Sequence, residues 1–146
     1  MNGKIFVGSL LLFTICFSAV LYYFQVFAFY KRVDFLPSIT VLGKDISIEK
    51  YQGIDSATSG LKLRGCFTID PKELLGTPKP FKATPLSSPF WFRCFDNRQL
   101  QIAIDSGEAK AYLVAENEKD GIDRIVAVYS DGKAFQWRQL NSKFLD

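Results

Sequence analysis

Two cysteines have the spacing of a structural disulfide. Cys66 and Cys94 lie 28 positions apart and each precedes a phenylalanine, and the chain has no Cys-x-x-Cys pair of the kind that redox catalysts use. If residues 61–67 form a strand, Cys66 lies on the face opposite its leucines and phenylalanine, which favours a bridge over a buried thiol. A bridge would add roughly 3.6 kcal/mol by loop closure. Two unpaired thiols in a reducing compartment are the alternative.

A second candidate for chemistry is a group of three charged residues, Asp120, Asp123 and Arg124. Carboxylates beside a guanidinium can transfer protons or hold a small ligand. Asp123 and Arg124 follow Gly121 at the start of a strand, where they can also form an ordinary turn-stabilising pair. That structural role is the favoured interpretation. They are the basis of an alternative functional hypothesis, a membrane-tethered enzyme or small-ligand sensor.

The chain has no histidine, and this excludes several kinds of site. Ser-His-Asp and Cys-His nucleophile systems, histidine-ligated zinc and an imidazole proton shuttle cannot be built within it. Two cysteines after residue 30 are too few for a four-thiolate cluster. We therefore predict no catalytic residue, no metal ligand and no cofactor, and a protein that is not an enzyme.

The element that positions these residues is an uncharged run over residues 5–30, bounded by Lys4 and by Lys31-Arg32. As a helix it is roughly 39 Å long, against about 30 Å of hydrocarbon core. A cleaved signal peptide is the alternative, but the apolar region of a signal peptide has only about 7–15 residues. We predict a single-pass membrane anchor over residues 1–32 and one small domain over residues 33–146.

Two signals for the orientation of the domain disagree. Four basic residues follow the run closely, against Lys4 and the amino terminus before it, and this count favours a cytoplasmic domain. A short amino-terminal tail before a long apolar segment, however, usually stays inside while the following domain is exported. The disulfide hypothesis agrees with export. We expect the inner (cytoplasmic) membrane, with the carboxy-terminal domain in the periplasm.

Charge and apolar patches indicate which partners to expect. Of the chain's 18 basic residues, all but Lys4 lie after the apolar run, which gives the domain 17 basic and 15 acidic residues. The two signs are interspersed, so no basic patch for nucleic acid is predicted. The lipid bilayer and other membrane protein subunits are the expected partners. Phe90, Trp91 and Phe92 form the most apolar patch of the domain and are the candidate partner surface. Burial in the core is the ordinary alternative for such aromatic residues.

The pattern of the domain predicts an α+β fold, in which an antiparallel sheet packs against one or two short helices. Alternating residues predict strands, Asp131-Gly132 predicts a hairpin turn, and Asp96 and Gly107 predict the ends of a helix. The predicted segments are strands over 39–42, 46–50, 61–67, 109–115, 124–130 and 133–140, a helical turn over 70–76, a proline-rich loop over 76–89 and a helix over 96–107.

Several short segments are informative when taken together. They are Met1-Asn2-Gly3-Lys4, residues 25–30, Tyr51-Gln52-Gly53-Ile54-Asp55, the two Cys-Phe pairs, residues 121–128, Asp131-Gly132 and Trp137. In this combination the chain resembles an uncharacterised family of small bacterial proteins with a single amino-terminal membrane anchor. The resemblance implies an anchor and a domain of unknown function, and it brings no activity. The leading hypothesis is a non-enzymatic accessory or interaction protein, such as a peripheral subunit or assembly factor of a larger membrane complex.

Overall fold

The amino-terminal segment forms one long helix, α1, over Gly3–Val26, in a computed structural model that describes residues 2–142. The side chain of Asn2 caps the helix by accepting a hydrogen bond from the Lys4 amide. Its 24 residues extend over about 36 Å, and none of them is buried. With a mean hydropathy of 2.3 over its apolar window, α1 is long and apolar enough to cross a membrane.

Eight strands lie within the described residues, six of them in one antiparallel sheet. Their bounds are β1 Lys31–Val33, β2 Ser38–Val41, β3 Lys44–Ser47, β4 Glu49–Asp55, β5 Arg64–Thr68, β6 Ala109–Lys119, β7 Ile122–Tyr129 and β8 Lys133–Leu140. The order across the large sheet is β1-β4-β5-β8-β7-β6, and β2 and β3 form a separate hairpin. Asp131-Gly132 turns β7 into β8, with Gly132 at the positive φ of 97° that glycine tolerates.

One face of the sheet is covered by the hairpin of β2 and β3, which we call the hairpin layer. Ile39, Val41 and Ile46 are buried in one cluster with Val126 and Val128 of the sheet. The Leu42 amide donates to the carbonyl of Val114 on the edge strand β6 at 2.8 Å. Alternation along the hairpin thus directs its apolar residues into the core, and the backbone bond holds it at the edge of the sheet.

The opposite face is covered by residues 76–95, which we call the strap, and by helix α2 over Asn97–Ser106. Together they form the strap layer. Asp96 caps α2 by accepting from the amides of Arg98 and Gln99, and Gly107 ends it at a φ of 84°. Leu100 of α2 lies in a core cluster whose other buried members are Ile54, Cys66, Phe92, Phe95, Ile125, Ala127 and Trp137. A 3-10 helix over Pro71–Leu74 precedes the strap.

The predicted α+β architecture is confirmed, and so are α2, the Asp131-Gly132 turn and the loop over 76–89. Two strands were missed in full or in part. The predicted strand over 46–50 covers the end of β3 and the start of β4, and β4 continues to Asp55, with a bulge between Glu49 and Gln52 that hides its alternation. β1 was missed because only three residues pair, and it includes Lys31 and Arg32, so the predicted boundary at residue 32 falls inside this strand.

Candidate functional site

The disulfide joins β5 to the end of the strap. Cys66 and Cys94 are bonded at an S–S distance of 2.14 Å, with their Cα atoms 6.3 Å apart. The predicted bridge is therefore present, and the interpretation of two free thiols is wrong. Because Cys94 lies two residues before the α2 cap at Asp96, the bond fixes the start of the helix and the end of the strap against the sheet.

A buried arginine on the same strand ties the middle of the strap. Arg64 donates from Nε to the Leu86 carbonyl at 3.2 Å and from Nη2 to the Ser87 carbonyl at 3.0 Å. Its Nη1 donates to the carbonyls of Leu61 and Leu63. Burial lowers the pKa of Arg64 to about 10, so the group is still charged at neutral pH. Because these four acceptors are all backbone carbonyls, Arg64 acts as a structural clamp.

Two further contacts hold the first half of the strap. Gln139 on β8 accepts from the Thr84 amide at 2.8 Å and donates to the Lys82 carbonyl at 2.6 Å, while its Oε1 also accepts from Trp137 Nε1 at 2.9 Å. The carbonyl of Pro78 accepts from the Leu113 amide at 2.8 Å. The strap is therefore tied at four places along its length, although it has no regular secondary structure.

A polar network lies on the face that the hairpin layer covers. Arg124 is 5% exposed and donates from Nε to Glu118 at 3.1 Å, from Nη1 to Gln136 Oε1 at 3.0 Å, and from Nη2 to the Thr40 carbonyl. Gln136 in turn donates to the Tyr51 hydroxyl at 2.9 Å. Burial alone raises the pKa of Glu118, but hydrogen bonds and charge from Arg138 and Arg124 outweigh it, so that the pKa is lowered overall.

The structure does not bring the predicted carboxylates and Arg124 to one point. Successive residues of β7 face opposite sides of the sheet, so Asp123 and Arg124 point apart. Asp123 accepts from the Asn117 amide at 2.9 Å and from Asn141 Nδ2 at 3.0 Å, so it stabilises the β6–β7 turn, but not as the predicted pair with Arg124. Asp120 lies in the turn between β6 and β7. The carboxylate that does pair with Arg124 is Glu118, which the sequence hypothesis did not name.

Two open clefts lie on the surface, and neither contains these residues. One of about 470 Å³ is lined by Arg32, Asp34, Lys50, Tyr51 and Gln52. The other, of about 300 Å³, lies between the strap and α2 and is lined by Lys79, Pro80, Ala83, Ile104, Gly107, Ala109, Lys110 and Ala111. Within residues 2–142, no group of three or more acidic or cysteine side chains is placed to hold a metal ion.

The predicted partner surface at Phe90, Trp91 and Phe92 is divided by the structure. Phe92 is only 3% exposed and packs in the core beneath the strap, so its assignment to a surface is corrected. In the turns around the disulfide, burial repeats every third residue, so that Phe92 and Phe95 face the core while Phe90 and Arg93 are exposed. Phe90 is 67% exposed, and Trp91 is half-buried.

Trp91 packs against the end of α1. Its Nε1 donates to the Val26 carbonyl at 2.8 Å, and its ring stacks on Phe27 with centroids 6.2 Å apart. Tyr30 meets Trp91 edge to face at 5.6 Å, and Phe90 meets Phe27 in the same way at 5.8 Å. We call the four aromatic residues Phe27, Tyr30, Phe90 and Trp91 the collar.

Two cations lie over collar rings: Arg32 over Trp91 at 5.7 Å and Lys62 over Tyr30 at 4.9 Å. Sequence reasoning placed Tyr30 at the end of the span but did not connect it, Arg32 or Lys62 with Trp91. No local signal links them, because the contacts join residues that are 32 to 65 positions apart in the chain.

Large apolar side chains also remain exposed along the strap layer. Phe81 and Ile102 of the strap layer are exposed, Phe81 fully so, and Leu75 directly before the strap is exposed as well. We call these three the strap patch. Residues 76–95 include Lys79, Lys82 and Arg93 but no carboxylate, so this segment is basic as well as apolar.

Comparison with known proteins gives a family and no activity. No curated protein and no solved structure matches this chain significantly. The family model that matches is described as a family of unknown function (DUF6446) and covers residues 33–144, which include all the strands after β1. The match confirms the uncharacterised family that the sequence motifs predicted, and the chain belongs to the family of unknown function DUF6446.

Proposed function

We propose that this protein is a membrane-anchored, non-enzymatic accessory protein that binds another membrane protein through its strap layer, as a peripheral subunit or assembly factor of a larger complex. The observation that carries the proposal is the strap patch. Phe81 and Ile102 expose large apolar side chains on the strap layer, and Leu75 exposes another directly before the strap. Large apolar side chains left exposed on one layer of a domain are a feature of protein-binding surfaces.

The fixing of the strap supports a binding role. A loop of this length without secondary structure is usually either functional or disordered, and this one is held by Arg64, Gln139, the Pro78 carbonyl and the disulfide. A segment fixed before binding loses less conformational entropy when its partner arrives. The basic residues Lys79, Lys82 and Arg93 favour a partner whose surface is apolar and acidic.

The proposed location is the periplasmic side of the inner membrane. α1 supplies the anchor, and a disulfide persists where the compartment is oxidising. Labelling of intact cells with a membrane-impermeant thiol reagent tests this side. Cys66 and Cys94 are expected to react only after reduction. Reaction without reductant, but only after the membrane is permeabilised, would place the domain in the cytoplasm.

Native-gel electrophoresis of mild detergent extracts tests the partner. The wild-type protein is expected in a discrete large assembly, and Phe81→Ser is expected to release it while the fold and the disulfide are retained. Phe35→Ser is the matched control, because Phe35 is 81% exposed but lies outside the strap layer. Migration of the wild-type chain as a lone 16.5 kDa protein in every mild detergent would overturn the proposal.

A further inference from the structure

The end of α1 fixes the depth of Trp91 relative to a membrane. A helix of 24 residues extends over about 36 Å, slightly more than a hydrocarbon core of about 30 Å, so Val26 at its end lies where the chain leaves the core. The indole of Trp91 donates directly to the Val26 carbonyl at 2.8 Å. Trp91 therefore lies at the boundary between hydrocarbon and headgroups, although it belongs to the domain and is 65 positions away in the sequence.

The rings around Trp91 have the composition of a membrane interface. Tryptophan and tyrosine prefer this zone because an apolar ring and a polar N–H or O–H can each meet their own environment. Phe90 exposes 67% of its surface here, and its ring meets Phe27 of the span at 5.8 Å. The collar thus continues the apolar surface of α1 onto the domain.

Cations lie beside these rings. Arg32 is positioned over Trp91 and Lys62 over Tyr30, and both retain N–H donors that can meet an anionic oxygen. The carboxylate nearest Arg32 is Asp34 at 3.8 Å, and both side chains are more than half exposed, so this pair is weak. Lys31 and Arg93 add exposed positive charge at neighbouring positions.

We infer that the collar, together with Arg32 and Lys62, is a phospholipid-binding site that holds the domain against the membrane in one orientation. The rings of Phe27, Tyr30, Phe90 and Trp91 lie at the level of the acyl carbonyls, and the two cations bind headgroup phosphate. The site prefers anionic lipid because its charge is positive. The inference rests on α1 as a membrane span, and it does not require the protein partner proposed above.

Quenching of tryptophan fluorescence by lipid tests the position of Trp91. The chain has two tryptophans, and Trp137 is fully buried in the core of the domain, so lipid-bound quencher can reach only Trp91. The full-length protein is reconstituted into vesicles whose acyl chains carry bromine near the headgroup. The wild-type emission is expected to fall, while Trp91→Phe keeps the emission of Trp137 unchanged. Equal emission of the wild-type protein with and without bromine would overturn the inference.

The second test concerns the charges and uses vesicles that contain no other protein. With phosphatidylglycerol in place of phosphatidylcholine, quenching of Trp91 by the same brominated chains is expected to increase. The increase is expected to disappear in Arg32→Gln/Lys62→Gln and to persist in Lys133→Gln, which removes an exposed cation at the β7–β8 turn, far from the collar. If the double variant responds to phosphatidylglycerol as strongly as the wild type, the phosphate role of the two cations is wrong. If only a water-soluble quencher reaches Trp91 in both lipids, the collar does not contact lipid. It would then be a surface for protein, and the inference would be wrong.

Discussion

The two layers that cover the sheet are built in different ways. The hairpin layer buries Ile39, Val41 and Ile46 over a closed polar network in which Arg124 meets both a carboxylate and an amide. The strap layer has one short helix, and its irregular half depends on separate ties: a disulfide, the clamp of Arg64 and the side chain of Gln139. It also exposes three large apolar side chains, Phe81, Phe90 and Ile102, whereas the hairpin layer exposes one, Leu42. The hairpin layer therefore serves the stability of the fold, and the strap layer presents a surface.

The largest expected effect comes from removing the bond that holds the strap layer. Cys66→Ser/Cys94→Ser is expected to lower the free energy of unfolding by about 3–4 kcal/mol, because the unfolded chain loses a cross-link that closes a long loop. Chemical denaturation of the purified protein in detergent measures the change. Cys16→Ser, which removes the exposed cysteine of α1, is the control and should leave the transition unchanged. An unaltered midpoint in the double variant would show that the strap layer does not depend on its bridge.

Arg124→Met tests the hairpin layer. The variant removes the donor of Gln136 Oε1, which is buried, and of the Thr40 carbonyl, which is partly buried, and Glu118 keeps its bond to Arg138. We expect a loss of about 2–3 kcal/mol in the free energy of unfolding, since hydrogen bonds to charged groups contribute about that much. Arg98→Met, at an exposed position of α2, is the control. A loss no greater than that of the control would mean that the network contributes little to the stability of this layer.

Arg64→Met makes the corresponding change in the strap layer and is expected to cost less, about 1–2 kcal/mol. Of its four carbonyl acceptors, those of Leu61, Leu86 and Ser87 are partly buried and can turn to water when their donor is lost, and that of Leu63 is buried. Hydrogen exchange should reveal faster exchange in the strap, with little change in β2 and β3. Arg64→Lys retains the charge but not the fork of donors, so it should recover only part of the protection. Equal loss of protection in both layers would contradict the independence of the strap.

Acid should weaken the network of Arg124, Glu118 and Arg138. The pKa of Glu118 is lower in the folded protein than its usual value of 4.5, so its contribution to stability is fully present above about that pH. The contribution is lost as the pH falls through the folded pKa, because the unfolded chain then binds the proton more readily. Glu118→Gln is expected to remove about 1 kcal/mol at neutral pH and to flatten this part of the pH profile. Glu73→Gln, at an exposed position of the 3-10 helix, should leave the profile as it is.

The sequence predicted the regular elements of both layers, but not the side-chain contacts that hold the strap. The strand pairs with clear alternation, the capped helix α2 and the Asp131-Gly132 turn follow from local patterns, and these elements are present. The disulfide could be predicted because Cys66 falls on the less apolar face of its strand. The ties of the strap could not, since Arg64 to Leu86 and Gln139 to Thr84 join residues that are 22 and 55 positions apart and have no pattern in common. For the same reason Arg124 was connected with Asp123, its neighbour in the chain, and not with Glu118.

The smallest expected effect on stability is also the most informative about function. Phe81 is fully exposed on the strap, so Phe81→Ser should change the free energy of unfolding by less than about 0.5 kcal/mol. Truncation of a side chain that supports the fold lowers the free energy of unfolding by more than this. Truncation of a side chain that only contacts a partner leaves the stability of the isolated chain unchanged. Thermal denaturation of the isolated variant and its migration in native gels of cell extracts therefore separate the two roles. Loss of stability in the isolated chain would assign Phe81 to the fold. An unchanged transition together with loss of the large assembly would assign the strap layer to binding.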